Sequence, residues 1–439
     1  MRRASVGAGG LWIGTAMLAI LLTGAAIGLR KSAACPAGRE CLEYMAWGNP
    51  EQLAVEQKLV DRFNQKNPDI FVNLIDVPDY VAKLTVMLAS DTAPDVERVD
   101  HYNFPKLVEK GYFADLTDYA NSDPDFKRAD YWPIALTECM YRNRLYGVNV
   151  LFGSLILYYN KDLFKKNGLE DPYESYKKGR WTWARFREDA IKITHTDGNG
   201  EPDSVGCPLP DLPAQAVTLY GFGGDFLSAD HKKSVLTSER AVDAYQFWTD
   251  LIWKDHAAPT PAQAANSAFA FETGKTGMAL NFMGMSPTYR NTISKFQWDV
   301  CPPPSNGQDK FDLVKGNQLV VSANCRHKAA AWRFVKYMVS APVETILHAQ
   351  YRRAFPTRFD VTGSRAYLRS DTPPYQIDAF VESVKHARPL PIDDRWSEWT
   401  QELNSETDNL WSGRDKNART VLTRASAKID KVLSEAPGF

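Results

Sequence analysis

The sequence has few cysteines, no long runs of charge and no excess of basic residues. Its 439 residues include only six cysteines, and none of them has the Cys-x-x-Cys or Cys/His spacing of a zinc site, so disulfides or buried thiols are expected. Residues 1–34 hold four of the 52 basic residues and none of the 53 acidic ones, which leaves the rest of the chain at a net charge of −5. A nucleic-acid-binding surface needs a basic patch, so no nucleic acid is expected as a partner.

Long hydrophobic runs are also scarce, apart from one near the N-terminus. Residues 11–29 are uncharged and follow Arg2-Arg3, which predicts a signal peptide or membrane anchor over residues 1–34. Ser32-Ala33-Ala34 suits cleavage, whereas Arg30-Lys31 suits an anchor that is retained. A third alternative is a lipid on Cys35, although Ser32 stands where a lipobox has an aliphatic residue. All three alternatives place the folded part outside the cytoplasm. There, Cys35 and Cys41 are near enough in sequence to close a small disulfide loop.

The remainder of the chain alternates between strand-like and helix-like patterns. Strands are predicted at residues 43–47, 70–75, 95–99, 278–282, 298–301 and 319–321. Helices are predicted from Pro50 to Asn67, and at 80–88, 104–108, 161–167, 183–193, 237–253, 262–271, 328–339, 396–410 and 417–433. Strand, helix and strand joined by short links predict a parallel sheet with right-handed crossovers.

The stretch at residues 145–164 is the most informative part of the sequence. It carries no charge from Leu145 to Asn160, which predicts a strand buried on both faces. Phe152-Gly153-Ser154 is expected to break this strand in two. Helical patterns on both sides predict that the chain here leaves one α/β lobe and enters another, with the functional site at the break.

Short motifs at the junctions of these elements recur in one family. They are Ala93-Pro94-Asp95-Val96, Leu145-Tyr146-Gly147-Val148, Tyr158-Tyr159-Asn160-Lys161-Asp162-Leu163-Phe164, Trp181-Thr182-Trp183, Phe271-Glu272-Thr273-Gly274-Lys275-Thr276-Gly277-Met278, Gly316-Asn317 and His327-Lys328-Ala329-Ala330-Ala331-Trp332. Their order over residues 43–433 resembles the sugar-binding extracellular solute-binding proteins of ABC importers (family 1, similar to maltose-binding protein). One departure is Phe282-Met283-Gly284-Met285, where the family often has a tryptophan.

The resemblance implies an α/β fold of the two-lobe periplasmic-binding-protein type (type II), with discontinuous lobes joined by hinge strands. Lobe 1 would comprise residues 42–148 and 301–340, and lobe 2 residues 149–300 and 341–439. Such a protein is not an enzyme and needs no cofactor. It would act as a monomer that captures a carbohydrate, expected to be an oligosaccharide, between its lobes and delivers it to the permease subunits in the membrane.

Carbohydrates present apolar C–H faces to aromatic rings and paired hydroxyls to planar polar groups. Side chains of these kinds at strand ends and loops are therefore the predicted ligand-binding residues. They are Trp47, Asn49, Glu51, Asp100, Phe152, Ser154, Tyr220, Phe222, Asp225, Met283, Gly316, Asn317, Arg353 and Phe355. For some of them a structural role is an open alternative: Asn49 also suits a helix cap, and Phe152 also suits the core.

Two further possibilities remain open from the sequence. Asp197, Asn199, Glu201 and Asp203 alternate as in a calcium loop, but His195 occupies the first ligand position, so a plain turn is favoured. The alternative functions are a membrane-anchored carbohydrate-active enzyme, which would need two facing carboxylates, and the same fold with a non-sugar solute.

Overall fold

The computed structural model describes residues 35–77, 80–90, 92–307, 310–369 and 371–435. The predicted signal peptide or anchor at residues 1–34 lies outside these residues. No helix within the described ranges is long and apolar enough to cross a membrane.

The described strands alternate with helices through the first third of the chain, as predicted. The strands are β1 (Glu40–Ala46), β2 (Ile70–Asp76), β3 (Val96–Asp100), β4 (Met140–Tyr141), β5 (Arg144–Leu145), β6 (Gly147–Asn160), β7 (His195–Thr196), β8 (Pro202–Ser204), β9 (Met278–Phe282), β10 (Trp298–Cys301), β11 (Asp312–Val321) and β12 (Ala387–Arg388). The helices are α1 (Pro50–Lys66), α2 (Tyr80–Ala89), α3 (Phe104–Glu109), α4 (Thr117–Ser122), α5 (Pro133–Thr137), α6 (Lys161–Lys166), α7 (Pro172–Lys177), α8 (Trp183–Ile193), α9 (Leu212–Gly221), α10 (Glu239–Trp253), α11 (Ser286–Thr292), α12 (Lys328–Met338), α13 (Ala341–Glu344), α14 (Phe359–Thr362), α15 (Arg365–Leu368), α16 (Asp378–Val384), α17 (Trp396–Trp411) and α18 (Ala418–Ser434).

Local sequence signals account for several helix boundaries. α1 begins with a capping box, in which the Asn49 side chain accepts from the Gln52 backbone and Gln52 returns a bond to Asn49. Ser238 caps α10 and Asn417 caps α18 through their side chains. The helix predicted at residues 262–271 is wrong. This segment forms turns and a short 3₁₀ helix, and Asn266 and Ser267 have positive φ angles that an α-helix does not allow.

Eight of the described strands form a mixed sheet in the order β10-β6-β11-β3-β1-β2, with β9 paired to β6 and β12 to β11, and β4-β5 and β7-β8 are separate pairs. β1 pairs in parallel with β2 and β3, which confirms the predicted parallel arrangement. β11 is antiparallel to both β3 and β6. β6 is one continuous strand, so the break predicted at Phe152-Gly153-Ser154 is wrong. Glycine fits an extended strand, and Gly153 stays paired with Lys315.

The apolar interior is divided along β6 and β11. The large core contains Phe152 and Val314, together with β9, β10 and helices α8, α10, α17 and α18. The β1 core contains Val150 and Leu319, together with β1, β2, α1 and α12. A third cluster, the α2 core, fills the opposite face of the sheet beneath α2 and α3. The two long strands therefore pass from one core to another near residues 151 and 316.

Cys35 and Cys41 form a disulfide, as their spacing allowed, and Cys139, Cys207, Cys301 and Cys325 are buried free thiols. A lipid thioether on Cys35 would require the sulfur atom that this disulfide uses. The lipidated N-terminus considered from the sequence is therefore incompatible with the disulfide.

Candidate functional site

A cavity of about 210 Å³ lies where β6 and β11 pass between the two cores. We call it the β6–β11 cavity. Six predicted binding residues line it: Trp47, Phe152, Met283, Gly316, Asn317 and Arg353. The remaining lining residues are Gln52, Leu151, Gly153, Phe282, Gly284, Lys315 and Ala354.

Strand pairing brings these distant residues together. Gly316 pairs with Phe152 and Asn317 with Leu151, and the register shifts immediately after Asn317. Such irregularities often re-aim side chains next to functional sites. The Phe355 backbone N–H donates to the Phe152 carbonyl at 2.7 Å, which holds the segment carrying Arg353 against β6.

Arg353 is fixed by a buried carboxylate on α1. Its guanidinium donates to Glu56 Oε1 at 2.7 Å, and Arg98 on β3 donates to the same oxygen. The Tyr44 hydroxyl donates to Glu56 Oε2 at 3.2 Å. One carboxylate thus serves two buried guanidinium groups.

Trp47 lies at the end of β1, but its ring is already engaged. Tyr80 stacks on it with ring centroids 4.7 Å apart, and the Arg98 guanidinium carbon lies 4.5 Å from its centroid. Tyr80 packs with the α2 core, whereas Arg98 reaches Glu56 on the other face of the sheet, so the indole has a partner on each side. A ligand in the cavity would meet the edge of this indole rather than its face.

Lys315 is a lining residue that sequence reasoning missed. Its ammonium lies 4.1 Å from the Phe282 ring centroid and 5.7 Å from that of Tyr102. Burial lowers the pKa of Lys315, and the charges of Asp100, Asp211 and Glu138 act in the opposite direction. In the sequence Lys315 stands directly before Gly316, and only its place in the strand pairing distinguishes it from other lysines.

A second cavity, of about 320 Å³, shares no lining residue with the first. We call it the Asp211 cavity. β9 separates the two, because Asn281 lines this cavity and Phe282 the other. Its polar lining residues are Asp211, Glu272 and Asn281, and its aromatic ones are Phe186, Trp248, Phe269, Phe271 and Tyr289. Burial raises the pKa of Asp211, whose side chain caps α9. The sequence prediction contained none of these residues.

The predicted residues of the glycine-rich loop lie elsewhere. Tyr220, Phe222 and Asp225 line a separate cavity of about 540 Å³ with Arg388. Arg388 ion-pairs with Asp225 at 3.0 Å and covers the Tyr220 ring at 3.3 Å. Tyr220 and Asp225 also border a cavity of about 380 Å³ that contains His101 and Glu138.

The other predicted residues line none of these four cavities. Asn49 is exposed and caps α1, and Glu51 is exposed in the first turn of that helix. Ser154 and Phe355 are buried, the latter in edge contact with Phe152. The Asp100 carboxylate accepts a hydrogen bond from the Asn317 side chain at 3.3 Å. It therefore holds a residue that lines the β6–β11 cavity without lining the cavity itself.

The calcium-loop candidates, Asp197, Asn199, Glu201 and Asp203, lie in and beside the hairpin between β7 and β8. Asp197 Oδ1 accepts from the backbone of Asn199 at 2.8 Å and of Glu201 at 3.0 Å, as in a tight turn. Within the described residues, no group of three or more His, Cys, Asp or Glu side chains is arranged to hold a metal ion.

The segment that follows β3 contacts the start of α17. The Tyr102 and Trp396 rings stack with centroids 5.6 Å apart and planes 16° from parallel. Close by, Lys106 lies 3.7 Å from Glu398. These two contacts join the segment that follows β3 to α17, which packs in the large core, at a place away from β6 and β11.

Comparison with solved structures identifies the fold. An ABC substrate-binding protein of Listeria monocytogenes in complex with cycloalternan superposes with a TM-score of 0.79 at 25% identity, covering 91% of this chain and 100% of that one. A cyclic alpha-maltosyl-1,6-maltose binding protein from Arthrobacter globiformis gives a TM-score of 0.77 at 20% identity, covering 91% of this chain and 100% of that one. The predicted α/β two-lobe periplasmic-binding-protein fold (type II) is confirmed.

Sequence comparison leads to the same family. A maltooligosaccharide ABC transporter solute-binding lipoprotein of Streptococcus pneumoniae is 20% identical over 371 residues, which are 81% of this chain and 80% of that protein. The family model for bacterial extracellular solute-binding proteins matches residues 47–345, which confirms the resemblance seen in the junction motifs. This chain belongs to the family of bacterial extracellular solute-binding proteins.

Proposed function

We propose that this protein is the extracytoplasmic substrate-binding component of an ABC transporter and that it captures a carbohydrate, specifically an oligosaccharide. Its family membership and the oligosaccharide ligands named for similar proteins support this function. The observation that carries the proposal is the β6–β11 cavity, which lies where both long strands leave one core for the other.

The lining of the β6–β11 cavity suits a sugar. Phe152 and Phe282 offer apolar ring surface to C–H faces, and Gln52, Asn317 and Arg353 offer planar polar groups to hydroxyls. The Asp211 cavity, on the other side of β9, is lined by two carboxyl groups, those of Asp211 and Glu272, an amide and several aromatic rings.

The division of the cores supports two lobes that close on the ligand. Leu347 packs in the β1 core and Ala349 in the large core, so a third crossing near residue 348 joins those near 151 and 316. The division predicted from the sequence starts the second part of lobe 1 at residue 301, whereas Val314 still packs in the large core. We therefore assign residues 301–314 to lobe 2 and residues 149–150 and 341–347 to lobe 1, and we keep the rest of the predicted division.

Binding without catalysis is part of the proposal, because the members of this family are binding proteins. A carbohydrate-active enzyme would need two carboxylates facing each other across the bond that breaks. The residues lining the β6–β11 cavity include no aspartate or glutamate. Closure on the ligand would present matched surfaces of both lobes of a monomer to the permease.

Residues 1–34 would export the protein and then either be removed or remain as an anchor. The disulfide at Cys35 argues against a lipid there, although the relative in S. pneumoniae is a lipoprotein. The intact mass of the exported protein tests this, since an added lipid mass on Cys35 would contradict it.

The decisive experiment is a thermal-shift screen of mono- and oligosaccharides on residues 35–439, followed by incubation with the labelled ligand. A raised melting temperature and an unchanged ligand are expected. Turnover would establish an enzyme, and a shift with non-sugar solutes alone would establish a different ligand class.

A variant in the β6–β11 cavity locates the site. Asn317→Ala removes one planar polar group, so we expect its affinity for the identified oligosaccharide to fall about tenfold. Asn404→Ala, on the exposed face of α17, is the control and should bind as the parent does. Equal affinity in both variants would exclude Asn317 from the site.

A further inference from the structure

The polar side chains of the β6–β11 cavity are mostly hydrogen-bond donors. Lys315 and Arg353 have no acceptor atoms, and Gln52 Oε1 is taken by the Asn49 backbone N–H at 3.2 Å. Asn317 donates to Asp100 and keeps one acceptor oxygen. A neutral sugar hydroxyl both donates and accepts, whereas an anionic group only accepts. This lining, which consists mostly of donors, therefore matches an anionic group better than it matches a neutral sugar hydroxyl.

The charge of the lining is also unbalanced. Arg353 shares the single carboxylate of Glu56 with Arg98, which leaves one positive charge uncompensated in that buried trio. Lys315 contacts two aromatic rings, and its ammonium has neither an ion pair within 4.0 Å nor a hydrogen bond among the described residues. Both cationic groups line the same cavity.

The nearest carboxylates lie outside this cavity. Asp100 accepts from the Tyr102 backbone at 3.0 Å and from Asn317 at 3.3 Å. Asp211 accepts from the Ala214 backbone at 2.9 Å and lines the neighbouring cavity. Burial raises the pKa of Glu138 to about 8, so this group is largely neutral at neutral pH. Asp100 and Asp211 attract Lys315 from beyond ion-pair distance, and none of the three groups lines the β6–β11 cavity.

We propose that the β6–β11 cavity binds the anionic substituent of an acidic saccharide, a carboxylate, sulfate or phosphate group, through Lys315, Arg353 and Gln52. The inference rests on the proposed function and narrows its substrate class. Phe152 and Phe282 would lie against the ring that carries the acidic group.

Isothermal titration with matched probes tests the proposal. Galacturonate and glucose 6-phosphate are the acidic probes, and galactose and glucose are their neutral counterparts. The acidic probes are expected to bind at least about tenfold more tightly, because a charged hydrogen bond contributes more than a neutral one. Added salt should weaken only the acidic probes. Comparing galacturonate with glucose 6-phosphate tells a carboxylate ligand from a phosphate ligand.

Three variants assign the effect to Lys315. Lys315→Met should reduce the ratio of acidic to neutral affinity about tenfold, and Lys315→Arg, which keeps the charge, should retain most of it. The control is Lys310→Met, which removes an exposed lysine that also contacts an aromatic ring, that of Tyr176, away from the cavity. Circular dichroism establishes that each variant is folded.

The outcomes separate this inference from the proposed function. If neutral probes bind as tightly as acidic ones and Lys315→Met leaves the ratio unchanged, the anionic-group inference is wrong and the carbohydrate-binding function stands. If none of these four probes binds while the screen finds a neutral oligosaccharide ligand, only the anionic-group inference is wrong, and if no saccharide in the screen binds either, both proposals are wrong.

Discussion

Glu97 on β3 is a carboxyl group in an apolar setting. It is fully buried between its strand partners Met45 and Val320, and neither of its oxygens has a hydrogen-bond partner among the described residues. Burial raises the pKa of Glu97 to about 8, and the charge of Asp95 adds to this effect. The folded protein therefore retains a proton that the unfolded chain loses near the ordinary pKa of glutamate.

This difference makes the free energy of unfolding depend on pH. Below the ordinary pKa both states are protonated, and as pH rises from there to about 8 the unfolded state alone ionises, so stability falls. The Glu97→Gln variant has no carboxyl group to ionise at this position, so its free energy of unfolding does not fall for this reason as pH rises. We expect the variant to be more stable than the parent by roughly 2–4 kcal/mol at about pH 8, and by much less at about pH 5.

Urea denaturation at both pH values measures the effect, and Glu188→Gln on the exposed face of α8 is the control. Glu138 and Glu344 have similarly raised pKa values and titrate in both proteins, so only the difference between the proteins reports on Glu97. If the difference in unfolding free energy between Glu97→Gln and the parent is the same at both pH values, Glu97 is ionised in the folded state and the argument is wrong.

Residue types and strand ends predicted part of the lining of the β6–β11 cavity. Phe152, Asn317 and Arg353 were found because aromatic and planar polar groups at strand ends are typical of sugar sites, and the structure brings them to one cavity. Lys315 and Asp211 were missed, because they resemble an ordinary lysine and an ordinary helix cap until the strand pairing is known. The engagement of the Trp47 ring by Tyr80 and Arg98 also depends on contacts that sequence spacing does not contain.

At the scale of elements, β11 depends on a glycine that makes room for a fixed neighbour. A Cβ atom on Gly316 would lie 1.9 Å from Asn149 Oδ1. Asn149 cannot move away easily, since its amide donates to the Ala135 carbonyl at 2.8 Å and to Glu138 at 3.1 Å. We expect Gly316→Ala to reduce the free energy of unfolding by about 1–3 kcal/mol or more, as overpacking does in cores.

Gly153 on β6 offers an internal comparison. A Cβ atom there would meet Met283 Sδ at 2.6 Å, but the flexible methionine side chain can shift. Gly153→Ala should therefore cost less than Gly316→Ala, and Gly198→Ala, with no atom within 4 Å, should cost little. Urea denaturation ranks the three variants, and an equal cost for the two strand variants would refute the argument.

Elements with strong periodicity were predicted closely from the sequence. α8 and α10 end within a few residues of their predicted limits, because an apolar face and a side-chain cap act together in each. The predicted break in β6 failed because Gly153 was interpreted as a chain interruption, whereas it keeps the strand paired and leaves space for Met283. Local sequence does not distinguish these two roles of a glycine.

At the scale of the whole molecule, the contact between Tyr102 and Trp396 bears on the proposed closure. It joins the end of β3 to α17, away from the strands that pass between the cores. A stacked aromatic pair contributes about 0.5–1.5 kcal/mol beyond its buried area. The nearby pair of Lys106 and Glu398 is exposed on both sides and contributes little.

Removing the ring should therefore shift the protein towards an open form. For Tyr102→Ala without ligand, we expect the ratio of closed to open molecules to fall about two- to tenfold, because that is the population equivalent of the lost stacking energy. Small-angle X-ray scattering of residues 35–439 should show a larger radius of gyration than in the parent, and a bound oligosaccharide should restore the smaller value. Lys106→Ala is the matched control on the same side of the contact and should scatter as the parent does. An unchanged radius in Tyr102→Ala would mean that the strands and the segment around residue 348 hold the lobes together without the aromatic pair.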